Sequence, residues 1–181
     1  MSYERELIAE WYEAHSRAVM HYVLVMVKDV QQAEDLTHDV FIKAYRHAGS
    51  FRGDAQVKTW LFQIAHRTAL DFLRKKRPLQ LFDTYISKKQ DPERLPADVL
   101  TQKEETETLY RAITSLKSSY RSVITLRKIK QFTTKETAAI LGWTESKVKV
   151  QLHRAMPELE RRMIKEQNKQ VSTEWEGRES K

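Results

Sequence analysis

Residues 132–154 read FTTKETAAILGWTESKVKVQLHR, and this stretch decides the class of the chain. Thr133 and Glu136 stand three apart. This is the capping-box spacing, in which a hydroxyl and a carboxylate each satisfy a backbone N–H at a helix start. Ala138 and Leu141 then share a face, and Gly142 supplies the residue that turns left-handed at a helix end without steric cost. Thr144 is placed to cap a second helix. There Val148, Leu152, Ala155 and Leu159 recur on one side. That stripe faces inward, so Lys147, Val150, Gln151 and Arg154 face outward, with Lys149 and His153 at the flanks. Two short helices joined by a glycine turn, the second cationic outside, read as a helix-turn-helix whose second helix suits a DNA major groove. An ordinary pair of antiparallel helices with a solvated basic face has the same periodicity, so the choice rests on what precedes this stretch.

Composition narrows the setting. The chain has 181 residues and a formal charge of +7, a balance that favours a polyanionic partner. It contains no cysteine, which excludes disulfides and thiolate metal sites. The longest nearly apolar run, Ala18 to Val27, spans ten residues, about half of what a bilayer needs. The first residues, MSYERELIAEW, lack the charged-then-apolar order of a signal peptide. A cytoplasmic protein without membrane insertion is expected. Four glycines and no alternating β-branched runs argue for an all-α chain.

In the N-terminal half, Glu4 to Ala14 reads as a first helix and Ser16 to Val27 as a second, densely apolar one. Asp29 is placed to cap a third helix, with Gln32 at the capping-box position and Ala33, Leu36, Val40 and Ala44 as its buried stripe. On another face of that helix lie Glu34, Asp35, His38 and Asp39. Asp35 and His38 superficially match one carboxylate-x-x-histidine unit of a di-iron bundle, but such sites need two units and further carboxylates, and no second unit exists. A solvated face and an acidic docking surface for a basic protein remain. Next comes FRGDAQVKTWLFQIAHRTALDFLRKKRP, residues 51–78. Arg52, Gly53 and Asp54 form a turn signal. A helix follows from Thr59, with Leu61, Ile64, Ala65, Thr68 and Phe72 on one face. Gln63, Arg67 and Arg74 lie opposite. Seven Lys and Arg face only Asp54 and Asp71 in this stretch. A turn bearing Phe51 and reaching Trp60, followed by a cationic helix, suits unstacked bases and their phosphates, unless both aromatics belong to the core.

Residues 33–78 resemble conserved region 2 of bacterial sigma-70 family initiation factors, specifically the small extracytoplasmic-function (ECF) group. YRSVITLRKIKQFTTKETAAILGWTESKVKVQLHRA, from Tyr120, resembles their region 4. The resemblance spans roughly residues 5–77 and 104–165, in the family's order. It implies two small helical domains joined by a flexible linker: region 2 over 1–78, a connector over 79–103, region 4 over 104–166, and a polar, frayed tail over 167–181. In the connector, Pro92 and Pro96 follow Pro78 and sustained helical spacing is lacking. In region 4 two helices, over 104–113 and 118–130, precede the helix-turn-helix. Pro157 is a departure and is expected to kink or end the recognition helix.

The resemblance also implies the functional assignments. Glu34, Asp35, His38 and Asp39 match the helix that grips the clamp of the polymerase β′ subunit, while region 4 meets the β flap. Phe51, Arg52, Gly53, Asp54, Trp60, Gln63, Arg67 and Arg74 fall in the loop and helix that hold the −10 element. Lys147, Lys149, Val150, Gln151, His153 and Arg154 fall in the −35 recognition helix. Arg67 stands where many relatives carry asparagine, and His153 also departs from the family pattern, so neither base preference transfers. The implied partners are core RNA polymerase, promoter DNA and an anti-sigma factor, expected to be membrane-anchored. No catalysis and no cofactor or metal are expected. A regulator with an N-terminal sensing bundle shares the helix-turn-helix but has no use for the cationic 51–78 stretch. A helical-bundle enzyme lacks a convergent set of catalytic residues.

Overall fold

The structure, a computed structural model, describes the backbone of residues 2–51, 53, 56–82 and 103–179, and the side chains of residues 5–51, 53, 56–76 and 106–169. Arg52, Asp54 and most of the expected connector therefore lie outside the described residues. Every regular element among the described residues is helical.

In the N-terminal half, α1 (Ser2–Val27), α2 (Val30–His47) and α3 (Val57–Phe82) pack on one another, with a 3₁₀ turn at Ala48–Ser50. The two helices expected before Val27 are one. Trp11, Val19, Tyr22, Val23 and Met26 are all buried along a continuous stripe, and no glycine or proline interrupts it. Ser16, expected near a boundary, is half-buried inside the helix. Lys28, in the left-handed region at φ 63°, ends α1. Asp29 caps α2, its carboxylate accepting from Gln32 N–H at 2.9 Å, and the expected stripe of Ala33, Leu36, Val40 and Ala44 is buried. α3 starts two residues before Thr59 and continues past Pro78 to Phe82.

The C-terminal half comprises α4 (Lys103–Thr114), α5 (Ser118–Ile124), a π-helical turn (Thr125–Ile129), α6 (Thr134–Leu141) and α7 (Glu145–Glu179). The helix expected to run to Lys130 as one piece widens instead. Lys130 N–H reaches back to Thr125 O at 2.8 Å, Phe132 N–H to Leu126 O at 3.0 Å, and Gln131 adopts a left-handed φ of 58°. The guanidinium of Arg127 donates to Phe132 O and holds the turn. α7 neither stops at Pro157 nor frays after Gln167, since its backbone stays helical to Glu179. Proline in a helix interior costs about 3 kcal/mol. Burial of Val148, Ala155 and Leu159 against α4 and α5 offsets this, and Glu158 pairs with Arg161 and Arg162 across the same turn.

The two helical halves pack against each other. Buried residues of both belong to one apolar cluster. Phe62 of α3 meets Phe132 edge-to-face with centroids 4.8 Å apart, and Lys58 lies 4.9 Å from the Phe132 ring centroid. Thr59 Oγ1 donates to Glu136 at 3.4 Å, Gln63 Nε2 donates to Ala139 O at 3.2 Å, and Arg121 donates to Val25 O at 3.3 Å. A cleft of about 240 Å³ remains along the seam, lined by Leu24 and Val25 on one side and Tyr110, Ile113 and Lys130 on the other.

Charge works against this packing. Burial, followed by repulsion from Lys58, pushes the Lys130 ammonium down to about 8. The packed protein therefore binds fewer protons than the unfolded chain between that value and about 10.4. Stability should rise with pH across this window and carry the full penalty below it. Because the ammonium is partly exposed, the expected gain from pH 7.5 to 10 is about 1–2 kcal/mol, within the several kcal/mol a fully buried lysine loses. Urea midpoints at the two pH values check this, with Lys130→Met as control. An equal rise in that variant would place the effect elsewhere.

Candidate nucleic-acid interface

The helix-turn-helix forms as its spacing predicts. Thr133 Oγ1 accepts from Glu136 N–H at 3.1 Å and Glu136 accepts from Thr133 N–H at 2.7 Å, completing the capping box. The backbone hydrogen bond from Thr133 leads the causes that hold the Glu136 carboxyl below the usual range. Gly142 takes the left-handed conformation, φ 65°, at the end of α6. Thr144 Oγ1 then accepts from Lys147 N–H at 3.1 Å at the start of α7. Ala138, Ile140 and Leu141 of α6 and Val148, Ala155 and Leu159 of α7 are buried, with Leu152 partly so.

The opposite face of α7 is open. Lys147, Lys149, Val150, His153 and Arg154 are exposed and Gln151 is partly so. Val150 is 45% exposed, an apolar side chain among cations. Lys147 Nζ lies 4.6 Å from the Trp143 ring centroid, which fixes a positive charge at the start of the helix. With α6 behind it, this face presents cations and one apolar contact on a single convex surface of helical width, the shape and charge that a major groove accepts.

The 51–74 stretch resolves into two parts. Phe51 and Trp60 pack against each other, with centroids 5.1 Å apart, and against Trp11 at 5.5 and 5.6 Å. Trp11 is buried while Phe51 and Trp60 are half-exposed, so this aromatic trio is core on its inner side and open on its outer side. Trp11 belongs to the apolar side of the first helix, as its spacing with Leu7 and Ile8 predicts, but its pairing with Phe51 and Trp60, forty and more residues away, has no local signal. Gly53, exposed at φ 73°, makes the turn. Arg67 and Arg74 are exposed on α3, Arg74 being paired with Asp71 at 3.2 Å. Gln63 differs: its side chain is partly covered and bonded to α6. The neighbouring His66 belongs to the core, hydrogen-bonded to Tyr22 at 2.8 Å, and burial pushes its imidazole down to about 4, so it is neutral at neutral pH.

On α2, Glu34, Asp35, His38 and Asp39 are all exposed and form an acidic strip on an otherwise basic protein. No cluster of three metal-ligating side chains occurs among the described residues, and no described helix is long and apolar enough to cross a membrane.

Residues 11–78 match the family model for sigma-70 region 2, and residues 106–159 match that for sigma-70 region 4. The chain belongs to the sigma-70 family. Within it the similarity is to the ECF group. The RNA polymerase sigma factor YlaC of Bacillus subtilis is 34% identical over 89% of this chain and 94% of its own. The ECF sigma factor SigX of the same organism is 34% identical over 84% of this chain and 81% of its own. In fold, this sigma factor is similar to RpoE of Bartonella quintana, solved in complex with the anti-sigma factor NepR. The TM-score is 0.73 at 22% identity, covering 86% of this chain and 95% of that one. It is also similar to CnrH, solved with the cytosolic domain of CnrY, with a TM-score of 0.64 at 20% identity. A sigma factor of this group directs RNA polymerase to promoters and initiates transcription there.

Proposed function

We propose that this ECF sigma factor divides its task among the surfaces described above. The acidic strip Glu34, Asp35, His38 and Asp39 docks on the β′ clamp of core polymerase, and the C-terminal half meets the β flap. The segment from Phe51 to Arg74, Arg52 and Asp54 included, holds the −10 element. Lys147, Lys149, Val150, Gln151, His153 and Arg154 read the −35 element. The protein works in the cytoplasm without chemistry of its own and is sequestered by an anti-sigma factor, in keeping with the anti-sigma complexes of the proteins it resembles in fold. The observation that carries the reading is the pairing of an exposed cationic recognition face on α7 with an exposed acidic strip on α2. One suits DNA and the other a basic protein. The test is copurification with core polymerase followed by promoter-dependent transcription from the reconstituted holoenzyme. Failure to bind core enzyme would overturn it.

Within the recognition face, the two kinds of contact are separable. Arg154→Ala should change preference at particular −35 positions by about 1–3 kcal/mol, as expected for a bidentate base contact. Lys147→Ala should weaken binding almost uniformly and reduce the salt slope by about one. Selection from a randomised −35 library distinguishes them, and the same uniform loss in both variants would show that Arg154 contacts phosphate.

A further inference from the structure

The 240 Å³ cleft has hydrocarbon walls and charge of one sign. Leu24 and Val25 of α1 and Leu109 and Ile113 of α4 line it, and Ile129 of the π turn, 43% exposed, borders it. Among the described residues no Asp or Glu lines the cleft, and its one Lys or Arg is Lys130. No ion pair within 4 Å includes Lys130 among the described residues, and Lys58 repels it. A second cation stands behind the wall. Arg121 is buried and interacts with the phenol of Tyr110, a lining residue, while its backbone carbonyl accepts from Thr125 Oγ1, another, at 2.8 Å. The Arg121 guanidinium donates to Val25 O, and its Nε has no hydrogen-bond partner among the described residues.

We propose that this cleft binds a small amphipathic monocarboxylate, its carboxylate on the Lys130 ammonium and its hydrocarbon body between Leu24 and Ile113. Apolar walls with a few polar groups are the usual composition of a ligand site. Volume limits the length. A cavity of about 150 Å³ takes benzene, so this one suits a single chain of about eight to ten carbons. A two-chain lipid is too large, and a nucleotide's polar base and phosphates find few partners on such walls. Charge selects the head group. An amine is repelled by Lys130 and Arg121, and a neutral alcohol leaves the half-buried ammonium without a counter-ion. A carboxylate supplies that counter-ion where the ammonium is already stripped of part of its water, which favours a charge-assisted hydrogen bond. The walls come from both halves, so the bound acid also adds to the stability of the folded chain. None of the lining residues belongs to the surfaces assigned to DNA or to the clamp, so the site stands or falls apart from those assignments.

Octanoate is the probe, titrated by calorimetry into the full-length protein at pH 7. A single site with a Kd of about 0.1–1 mM is expected, within reach of a ligand of about ten non-hydrogen atoms. At a tenfold excess over Kd the melting temperature should rise by about 3–5 °C. Lys130→Met keeps the side chain's bulk and removes its charge. It should weaken octanoate by about tenfold or more while leaving 1-octanol within about twofold. Ile129→Glu, at an exposed position, should weaken octanoate at least as much by setting a carboxylate of the chain's own beside Lys130. Acetate, which has the charge without the body, should give no saturable heat. Equal affinity of the natural protein for octanoate and 1-octanol, undiminished octanoate affinity in either variant, saturation by acetate, or no saturable binding of octanoate would each overturn the carboxylate site.

Discussion

Asp39→Arg is expected to abolish transcription while leaving the fold intact. Asp39 is exposed on α2, one turn from Asp35 and beside His38, and no described ion pair involves it. Its replacement therefore breaks nothing within the chain, and arginine is the better helix former. What changes is the sign of the charge offered to a basic partner. Like charges brought together at an interface cost several kcal/mol, a hundredfold or more in affinity on the scale of about 1.4 kcal/mol per tenfold. The consequence extends to promoter opening. Separating base pairs costs about 1.4 kcal/mol of stacking per step, and each flipped base adds a few kcal/mol more. A half-exposed aromatic trio and a few arginines cannot supply this on their own. Permanganate reactivity of promoter thymines should appear with core enzyme plus the natural protein, and be absent with the protein alone or with the variant. Melting by the protein alone would make it an independent DNA-opening regulator. Unaltered melting with the variant would move the docking surface off α2.

Phe62→Ala is expected to cost about 3–5 kcal/mol of folding stability, the range for emptying a buried aromatic site. The ring is fully buried, with Tyr22 at 5.4 Å and Phe132 at 4.8 Å between centroids. It thus supports the first half and the seam together. For a chain of this length the melting temperature should fall by on the order of 10 °C. Phe62→Leu, which keeps most of the volume, should lose far less. Calorimetry of the three proteins decides the matter. A loss below about 1 kcal/mol for alanine would mean that Tyr22 and Phe132 close the void without it.

What the sequence disclosed, it disclosed through short spacings. Thr133 and Glu136, Gly142, Thr144, and the stripe from Val148 to Leu159 each depend on neighbours within eleven residues, and each stands where the pattern puts it. Asp29 and the α2 stripe were legible for the same reason. The errors arise where tertiary packing outweighs a local signal. Ser16 is a good helix-starting residue, yet apolar packing on both sides carries α1 through it. Pro157 is a strong breaker, yet the buried stripe of α7 spans it. The seam was out of reach altogether. Its contacts join Thr59 to Glu136 and Val25 to Arg121, 77 and 96 residues apart, and no periodicity within a helix specifies which face a distant helix will cover. The residues proposed for the −10 element show the same division: Phe51 and Trp60 were recognisable as aromatics beside a turn, but their edge-to-face packing on Trp11 was not.

The π-helical turn at Thr125–Ile129 acts as a phase adjuster for everything that follows it. Each residue advances an α-helix by about 100°, so one residue more or fewer before Phe132 would rotate the remainder of the chain by nearly a third of a revolution. With the widened turn, Phe132 comes round to Phe62 and α6 to α3. Removing a single residue between Thr125 and Ile129 would leave α6 and α7 able to fold as a pair and still bind DNA, but aim them away from the N-terminal half. The angular relation between promoter reading and the rest of the molecule is thus set by an insertion one residue long.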